Sequence, residues 1–388
     1  MTALTGRFSI DIELSSAVPR KVHIASSRPV HASRVLAGKT VDEAMQLLPM
    51  LFSICGTAQA CAGVRACEAA LGIPWNPRVE CQRELLVMME ALREHLWRLF
   101  LDWPAHTKTP AERTRLAAVI ALHKKYQAIL DAEQQLFVAP GIQNSRVDEG
   151  SALLIVQDLG DLVNTCVFGS ESKSWLAIEN IDALKKWAES TQTVAADLIA
   201  YVLYQEWQDV GRCSVDLLPP LDNTLLQTAF DDPHFVEAPT WEGGVRETNA
   251  CRRIESPLLE KLRADFGNGL LVRLVARLTE IAWLLDDLHS WPVGTCSHVP
   301  GDDHPENPGI GQAVAARGQL VHRVLLQNNM IENYQILAPT EWNFHPEGVV
   351  SKALLELQGE ISTIKEQAVL LIEAIDPCVA YDLHITEQ

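Results

Sequence analysis

Two cysteine-containing segments, one towards each end of the chain, have residue types suited to metal chemistry. Residues 53–62 read SICGTAQACA, in which Cys55 precedes a glycine, and residues 376–384 read DPCVAYDLH, in which His384 follows Cys378. Thiolates are good ligands for soft metals, and imidazole binds many of the same ions. If the two ends of the chain pack side by side, one site receives a thiolate from each. The spacing alone also allows each cysteine to be a small buried hydrophobe.

The elements that would position these segments are mainly helical. Apolar residues recur at steps of three and four along most of residues 41–288, as in helices with one buried face. Residues 7–14 alternate between apolar and polar instead, which indicates a strand that can pair with residues 22–27 as a hairpin. Two β-prone runs, 320–326 and 330–337, flank a polar turn and predict a second hairpin.

These patterns predict an α+β protein that is mainly α, a helical bundle with small β-hairpins near both ends. With 47% hydrophobic residues, the chain of 388 residues has enough apolar side chains for a large core. We expect a single domain over residues 1–388. Its parts in chain order are an N-terminal β unit at 1–40, the helical bundle at 41–290, a β-hairpin unit at 312–349, and the C-terminal helix with the DPC motif at 350–388.

Composition disfavours nucleic acid and membrane as partners. The chain has 32 Lys plus Arg against 50 Asp plus Glu, and its net charge of -18 would repel a phosphate backbone. A membrane span needs roughly 18 uninterrupted apolar residues, and the closest run, 269–285, contains three charged side chains. No export signal is visible at the N-terminus, so we expect a cytoplasmic protein. The nine irregularly spaced cysteines suit thiols that stay free or bind metal in a reducing compartment.

The two cysteine segments resemble the motifs of the large subunit of nickel-iron hydrogenases, Arg-x-Cys-Gly-x-Cys-x-x-x-His and Asp-Pro-Cys-x-x-Cys-x-x-His. The first cysteine of each pair is kept as Cys55 and Cys378. The second cysteines, which bridge nickel and iron in that family, are replaced by Ala58 and Tyr381. The fold implied by the resemblance is a hydrogenase large-subunit-like helical bundle.

The resemblance is strongest over residues 315–348, AARGQLVHRVLLQNNMIENYQILAPTEWNFHPEG. A family arginine beside the active site corresponds to Arg317. A Pro-Ser/Thr pair that hydrogen-bonds an iron-bound cyanide corresponds to Pro339 and Thr340. Two thiolates cannot make the usual four-thiolate nickel site, because alanine and a neutral phenol are poor substitutes for thiolate ligands.

Taken together, the sequence is similar to the HupK/HoxV-type hydrogenase accessory proteins, and this resemblance implies a non-catalytic maturation factor. In that role, Cys55 and Cys378 would hold iron with cyanide and carbonyl ligands, the Fe(CN)2(CO) fragment. Arg317, Pro339 and Thr340 would contact its ligands, and His384 would be an outer hydrogen-bonding partner. We expect no catalytic residue and no nickel. The implied partners are the iron-loading hydrogenase maturation complex and the hydrogenase large-subunit precursor.

Several alternatives remain open at this point. The chain could be a cofactor-free assembly chaperone that uses the large-subunit shape, or an active hydrogenase large subunit. Cys61 could replace the ligand missing at Ala58, or only pack inside its helix, and Tyr381 could cover the site or coordinate the iron. A polar loop at 292–311 holds Cys296, His298 and His304, whose types suit zinc, but a fourth ligand is missing and a solvated loop is the simpler interpretation.

Overall fold

The structure is a computed structural model that describes residues 6–15, 17–29, 31–52, 54–143, 147–249, 256–290 and 307–387. In these ranges the helices are α1 (Val41–Leu51), α2 (Gly56–Leu71), α3 (Pro77–Leu101), α4 (Trp103–Thr107), α5 (Arg113–Leu130), α6 (Glu149–Val163), α7 (Ser172–Leu176), α8 (Ile181–Ser190), α9 (Val194–Tyr204), α10 (Asn223–Ala229), α11 (Pro257–Phe266), α12 (Leu270–Ser290), α13 (Pro339–Asn343), α14 (Val349–Leu355) and α15 (Ile361–Ile375). The strands are β1 (Phe8–Ser15), β2 (Val18–Ser26), β3 (Asp216–Leu217), β4 (Arg246–Glu247), β5 (Gly309–Ala315), β6 (Gly318–Gln327), β7 (Met330–Leu337) and β8 (Tyr381–Glu387). A 3-10 helix (Ala32–Leu36) and a π-helical turn (Asn164–Phe168) complete the described elements.

The largest hydrophobic core is built by α3, α5, α6, α9 and α12. Helix α3 starts where Asn76 accepts hydrogen bonds from two backbone N–H groups of the first turn and Pro77 occupies the first helical position, both strong start signals. Helix α12 is buried over most of its length, including the side chains of Arg273 and Arg277. The mainly helical fold expected from the sequence periodicity is confirmed.

One helical span, Glu149–Phe168, is long and apolar enough to cross a membrane by length and composition alone. Its residues Ile155, Val156 and Leu159 are buried in the helical core, where α6 packs with α5 and α12. Core helices of globular proteins commonly have this composition. The span is therefore explained by its place in the core.

Both chain ends meet in one three-stranded sheet, with the order β2-β1-β8. β1 pairs with β2 in antiparallel fashion, and β8 lies parallel to β1 on its other side, with Phe8 opposite Tyr381. The sequence predicted only residues 22–27 as a pairing partner of β1. The strand that the C-terminal tail forms, β8, was missed. Since parallel neighbours need a long connection, the rest of the chain acts as the crossover between β1 and β8.

The other main sheet, β5-β6-β7, packs directly against α2. Two glycines of β5 allow this close approach, because a Cβ added at Gly309 or Gly311 would overlap backbone atoms of α2. Arg65 of α2 also donates to the carbonyl oxygen of Gln312, at 2.6 Å. The runs expected to form a hairpin, 320–326 and 330–337, pair in antiparallel fashion as β6 and β7, and β5 adds a third strand. The packing of this sheet fixes the turn between β5 and β6 beside the start of α2.

Candidate functional site

Cys55 lies at the N-terminal end of α2, and its thiol points towards the interior. The first backbone N–H groups of the helix, from Thr57 and Ala58, donate to the carboxylate of Glu90 at 2.9 and 3.0 Å. The amide of Gln59 donates to the Cys55 sulfur at 3.6 Å. Burial raises the pKa of the Cys55 thiol to about 12, and the nearby Glu90 carboxylate adds to the increase. The Cys55 thiol is therefore protonated at neutral pH.

Cys378 lies in the connection between α15 and β8, across from the first turn of α13. The Thr340 hydroxyl donates a hydrogen bond to the Cys378 sulfur at 3.0 Å. Thr340 occupies the second position of α13, which begins at Pro339, so the fixed backbone of a helix start orients the hydroxyl. The thiol is half-buried and forms no disulfide.

One cavity brings together five of the residues predicted from the sequence. Its volume is about 80 Å³, and roughly 10–15 Å³ of such volume holds one water molecule, so about six water-sized groups would fit. The predicted residues that line it are Cys55, Cys378, Arg317, Pro339 and Thr340. The rest of the lining is mostly apolar and includes Leu51, Phe52, Ile54, Leu320 and Val379.

Arg317 enters the cavity from a cluster of buried charges around Asp376. Its Nε donates to Asp376 at 3.1 Å, and its Nη1 donates to Glu94 at 3.2 Å. Arg98 and Arg277 also contact Asp376, at 2.7 and 3.4 Å. Burial alone would raise the pKa of the Asp376 carboxyl, but the three arginines hold it well below its usual range. We call these five residues the Asp376 cluster.

Arg28 also lines this cavity, and the sequence gave no sign of it. It lies in the connection between β2 and the 3-10 helix, and it forms a hydrogen-bonded ion pair with Glu341 of α13. Burial alone would lower the pKa of Arg28, but Cys378, Glu341 and Cys55 raise it above its ordinary value. We call Arg28 and Glu341 the Arg28 pair. Long-range contacts of this kind leave no local sequence pattern, so only the structure could find it.

His384 is not brought to the cavity. It lies in β8 opposite Asp11 of β1, and its side chain is exposed. Since strand side chains alternate, Tyr381, Leu383 and Ile385 are the ones that pack on the core below the sheet. The expected hydrogen-bonding role of His384 beside the iron has no geometric support, because the tail continues as a strand instead of turning back.

Tyr381 and Cys61 also lie away from the cavity lining. The Tyr381 ring packs against the hydrophobic core, and burial raises the pKa of its hydroxyl. Cys61 is fully buried in the second core between α2 and the β5-β6-β7 sheet. Neither residue replaces a missing thiolate. The small side chain at Ala58 is likewise buried inside that core.

The remaining sequence-based candidates add no ligand. In the described part of the chain, no group of three or more His, Cys, Asp or Glu side chains could hold a metal ion. Ser53, Cys251, Cys296, His298 and His304 lie outside the described residues. Cys81 is disulfide-bonded, so the expectation that the thiols are free or metal-bound is wrong at this position.

Solved structures share the fold defined by this arrangement. The Ni-Fe-Se hydrogenase from Desulfovibrio vulgaris Hildenborough matches with a TM-score of 0.62 and 18% identity, over 94% of each chain. The [NiFeSe]-hydrogenase of Dm. baculatum matches with a TM-score of 0.60 and 16% identity, over 97% of each chain. The family model of the nickel-dependent hydrogenases matches residues 268–384. The protein therefore has a hydrogenase-type fold.

Curated relatives define the family more narrowly. The hydrogenase expression/formation protein HoxV of Cupriavidus necator is 30% identical, over 99% of this chain and 97% of that protein. The hydrogenase expression/formation protein HupK of Azotobacter vinelandii is 29% identical, over 98% and 99%. The chain belongs to the family of HoxV/HupK hydrogenase expression/formation proteins.

Proposed function

We propose that this hydrogenase expression/formation protein is a non-catalytic carrier of an iron fragment with cyanide and carbonyl ligands. It receives the fragment from an iron-loading maturation complex and passes it towards a hydrogenase large-subunit precursor in the cytoplasm. The observation that carries the proposal is one cavity lined by two thiols, those of Cys55 and Cys378, and by the donor-bearing side chains of Arg317 and Thr340.

The ligand chemistry favours a fragment over a bare metal ion. An iron that already carries cyanide and carbonyl has few open positions, so two thiolates are enough to hold it. A bare nickel ion would need the four-thiolate set, and the two bridging positions are occupied by Ala58 and Tyr381. Both of these residues pack in hydrophobic cores away from the cavity lining. No nickel is therefore expected in the protein.

The proposed binding is reversible, as a carrier requires. Loading must displace the proton of Cys55, whose pKa of about 12 makes the protonated thiol the stable form at neutral pH. Metal affinity is reduced by this competition with protons. A transfer partner that offers four thiolates would then hold the iron more tightly than two thiolates do.

Apolar residues around the cavity suit the ligands of the fragment. Carbonyl has little capacity for hydrogen bonds and fits the surfaces of Leu320 and Val379. Cyanide nitrogen accepts hydrogen bonds, and the Arg317 guanidinium is a charged donor on one wall. The cavity thus offers apolar surface for the carbonyl ligand and a hydrogen-bond donor for a cyanide ligand.

Infrared spectroscopy of protein purified without oxygen, combined with iron and nickel analysis, tests the proposal. Metal-bound cyanide and carbonyl stretches with iron and without nickel are the expected result. The double variant Cys55→Ala with Cys378→Ala should lose both the bands and the iron. The matched control is Cys166→Ala, which removes a half-buried thiol that packs on the helical core outside the cavity.

A cofactor-free assembly chaperone is the second candidate, favoured by the lack of a third protein ligand among the described residues. It predicts no bands and no iron in protein from cells that make active hydrogenase. It also predicts that the double cysteine variant still supports hydrogenase maturation. Either result would remove the carrier function from consideration.

A further inference from the structure

Arg28 lines the cavity although it comes from the connection that follows the N-terminal strand β2. Its side chain is 12% exposed and that of its partner Glu341 is 6% exposed, so the ion pair is largely removed from water. Arg28 and Pro29 line the cavity together with both cysteines.

The Arg28 guanidinium keeps donors for a ligand. Arginine has five N–H donors in a planar fork, and the contact with Glu341 engages Nη1. The other carboxylate oxygen of Glu341 accepts from the backbone N–H of Ala338 at 3.1 Å, which holds the carboxylate at the start of α13. Glu341 thus orients Arg28 without using all of its donors.

A fragment with two cyanides presents two anionic acceptor ends. Arg317 and Arg28 both line the cavity. When two thiols become thiolates, two negative charges are added in a partly desolvated place, and such charges need nearby cations or strong donors. The two arginines can meet this need.

We infer, on the basis of the proposed iron cargo, that Arg28 is a second cation that binds the cargo and limits its release. Arg317 contacts one cyanide and Arg28 contacts the other. Arg28 is carried by the connection after β2, and β2 belongs to the sheet in which β8 begins three residues after Cys378. The sheet therefore links the position of Arg28 to that of the cysteine ligand.

The test replaces Arg28 by glutamine, which keeps an N–H donor on a shorter side chain and removes the charge. Iron retention is followed after rapid dilution into a chelator, and infrared spectra are recorded on the same samples. Loss of a charge-assisted hydrogen bond should speed release by about ten- to hundred-fold. One cyanide band should shift and broaden, while the carbonyl band should move less.

Two further variants separate cargo binding from a purely structural ion pair. Arg28→Gln with Glu341→Gln removes both charges, so no buried carboxylate is left unpaired. Glu341→Gln alone keeps the cation and the backbone acceptor at the start of α13. Fast release should occur in the double variant and not in Glu341→Gln. Arg20→Gln is the matched control, since Arg20 is an exposed arginine of β2.

The outcomes of the two proposals can be told apart. For wild-type protein without cargo, anaerobic titration with a water-soluble iron(II) dicyano-carbonyl complex measures uptake directly. If wild type takes up none and carries no bands, the carrier function fails and the role of Arg28 fails with it. If wild type binds the complex and the variants without Arg28 release it at the wild-type rate with unchanged cyanide bands, the carrier function stands and the role of Arg28 is overturned.

Discussion

The two arginines that line the cavity of Cys55 and Cys378 are held in very different ways. Arg317 contacts two buried carboxylates, and one of these, Asp376, contacts two more arginines. Within the described residues, Arg28 has a single ion pair, with Glu341. One part of the cavity lining is thus fixed by a charge network that reaches into the helical core, and the other is fixed by one ion pair.

The difference indicates where the cavity lining is more rigid and where it is less rigid. Removing one member of a buried network leaves several charges uncompensated, so the Asp376 cluster resists local change. The Arg28 pair is also largely buried, but it joins only one arginine to one carboxylate. We therefore expect the Asp376 cluster to be the more rigid part of the cavity lining, the fixed wall, and the Arg28 pair to be the less rigid part.

The largest expected effect follows from breaking the fixed wall at Asp376. Asp376→Ala leaves Arg98, Arg277 and Arg317 without their shared carboxylate, and loss of one partner of a buried pair costs about 3–5 kcal/mol. The free energy of unfolding from urea denaturation should fall by about this amount. Glu341→Gln should lower it by less, because one arginine instead of three loses its carboxylate and the amide oxygen of glutamine can still accept a hydrogen bond from Arg28.

A matched variant separates charge from backbone conformation. Asp376 has φ of 70°, a left-handed conformation that asparagine tolerates better than alanine. Asp376→Asn should therefore retain the backbone and still lose most of the stability that the charge provides. Wild-type stability of Asp376→Asn would mean that the network does not fix this wall.

The next largest effect on the free energy of unfolding concerns the packing of the β5-β6-β7 sheet on α2. The turn between β5 and β6 carries Arg317. A Cβ at Gly311 would overlap backbone atoms at Ala62 and Ala66 of α2, and backbone cannot rotate away as a side chain can. Gly311→Ala should lower the free energy of unfolding by about 3 kcal/mol, the upper end for overpacking. The control is Gly244→Ala, since a Cβ there would meet only the end of the Arg246 side chain at ordinary contact distance. Equal stability of the two variants would contradict the close packing of β5 on α2.

The sequence predicted the motif residues of the cavity better than the Arg28 pair. Cys55, Cys378, Arg317 and Thr340 belong to motifs whose residue types and order could be compared with a known family, and they line one cavity. Arg28 and Glu341 are 313 positions apart and belong to no motif, so their contact depends on how the N-terminal sheet docks on α13.

The prediction for His384 depended on assuming that the tail lies beside the cysteine as it does in the hydrogenase motif. Pairing of β8 with β1 overrides this, because seven residues of backbone hydrogen bonding and the burial of Leu383 and Ile385 fix the tail as a strand. Apolar and polar residues alternate over 381–385, as in a strand. The local sequence does not show which strand it pairs with, because β1 is more than 360 positions away.

A smaller, pH-dependent effect on the free energy of unfolding is expected from a buried histidine of β6. His322 of β6 is fully buried, and burial lowers its pKa to about 3. It contacts Tyr334 at 2.8 Å and Gln59 at 2.9 Å, and Gln59 donates in turn to Cys55. The unfolded chain protonates this histidine near pH 6.5 while the folded chain keeps it neutral. Its stabilising effect is therefore present above pH 6.5 and is lost as the pH falls towards 3.

Between pH 6.5 and pH 5, this group alone should lower the free energy of unfolding by about 2 kcal/mol, at about 1.4 kcal/mol per pH unit. His322→Gln should reduce the slope of stability against pH in this interval, whatever its effect at neutral pH. His23→Gln, at an exposed position of β2, should leave the slope unchanged. Identical slopes for wild type and His322→Gln would show that His322 is not held neutral.

The smallest expected effect is on the release rate of the proposed cargo. It tests whether α13, which carries Glu341 of the Arg28 pair, also acts on Cys378 through Thr340. Thr340→Val keeps the shape of the side chain and removes the hydroxyl that donates to the Cys378 sulfur at 3.0 Å. A single hydrogen bond of this kind is worth about 1 kcal/mol, so cargo release should be about fivefold faster. Thr340→Ser should restore the wild-type rate, because serine keeps the donor. If valine and serine behave alike, the hydroxyl does not act on the cysteine, and only Arg28 and its partner would control release at this part of the lining.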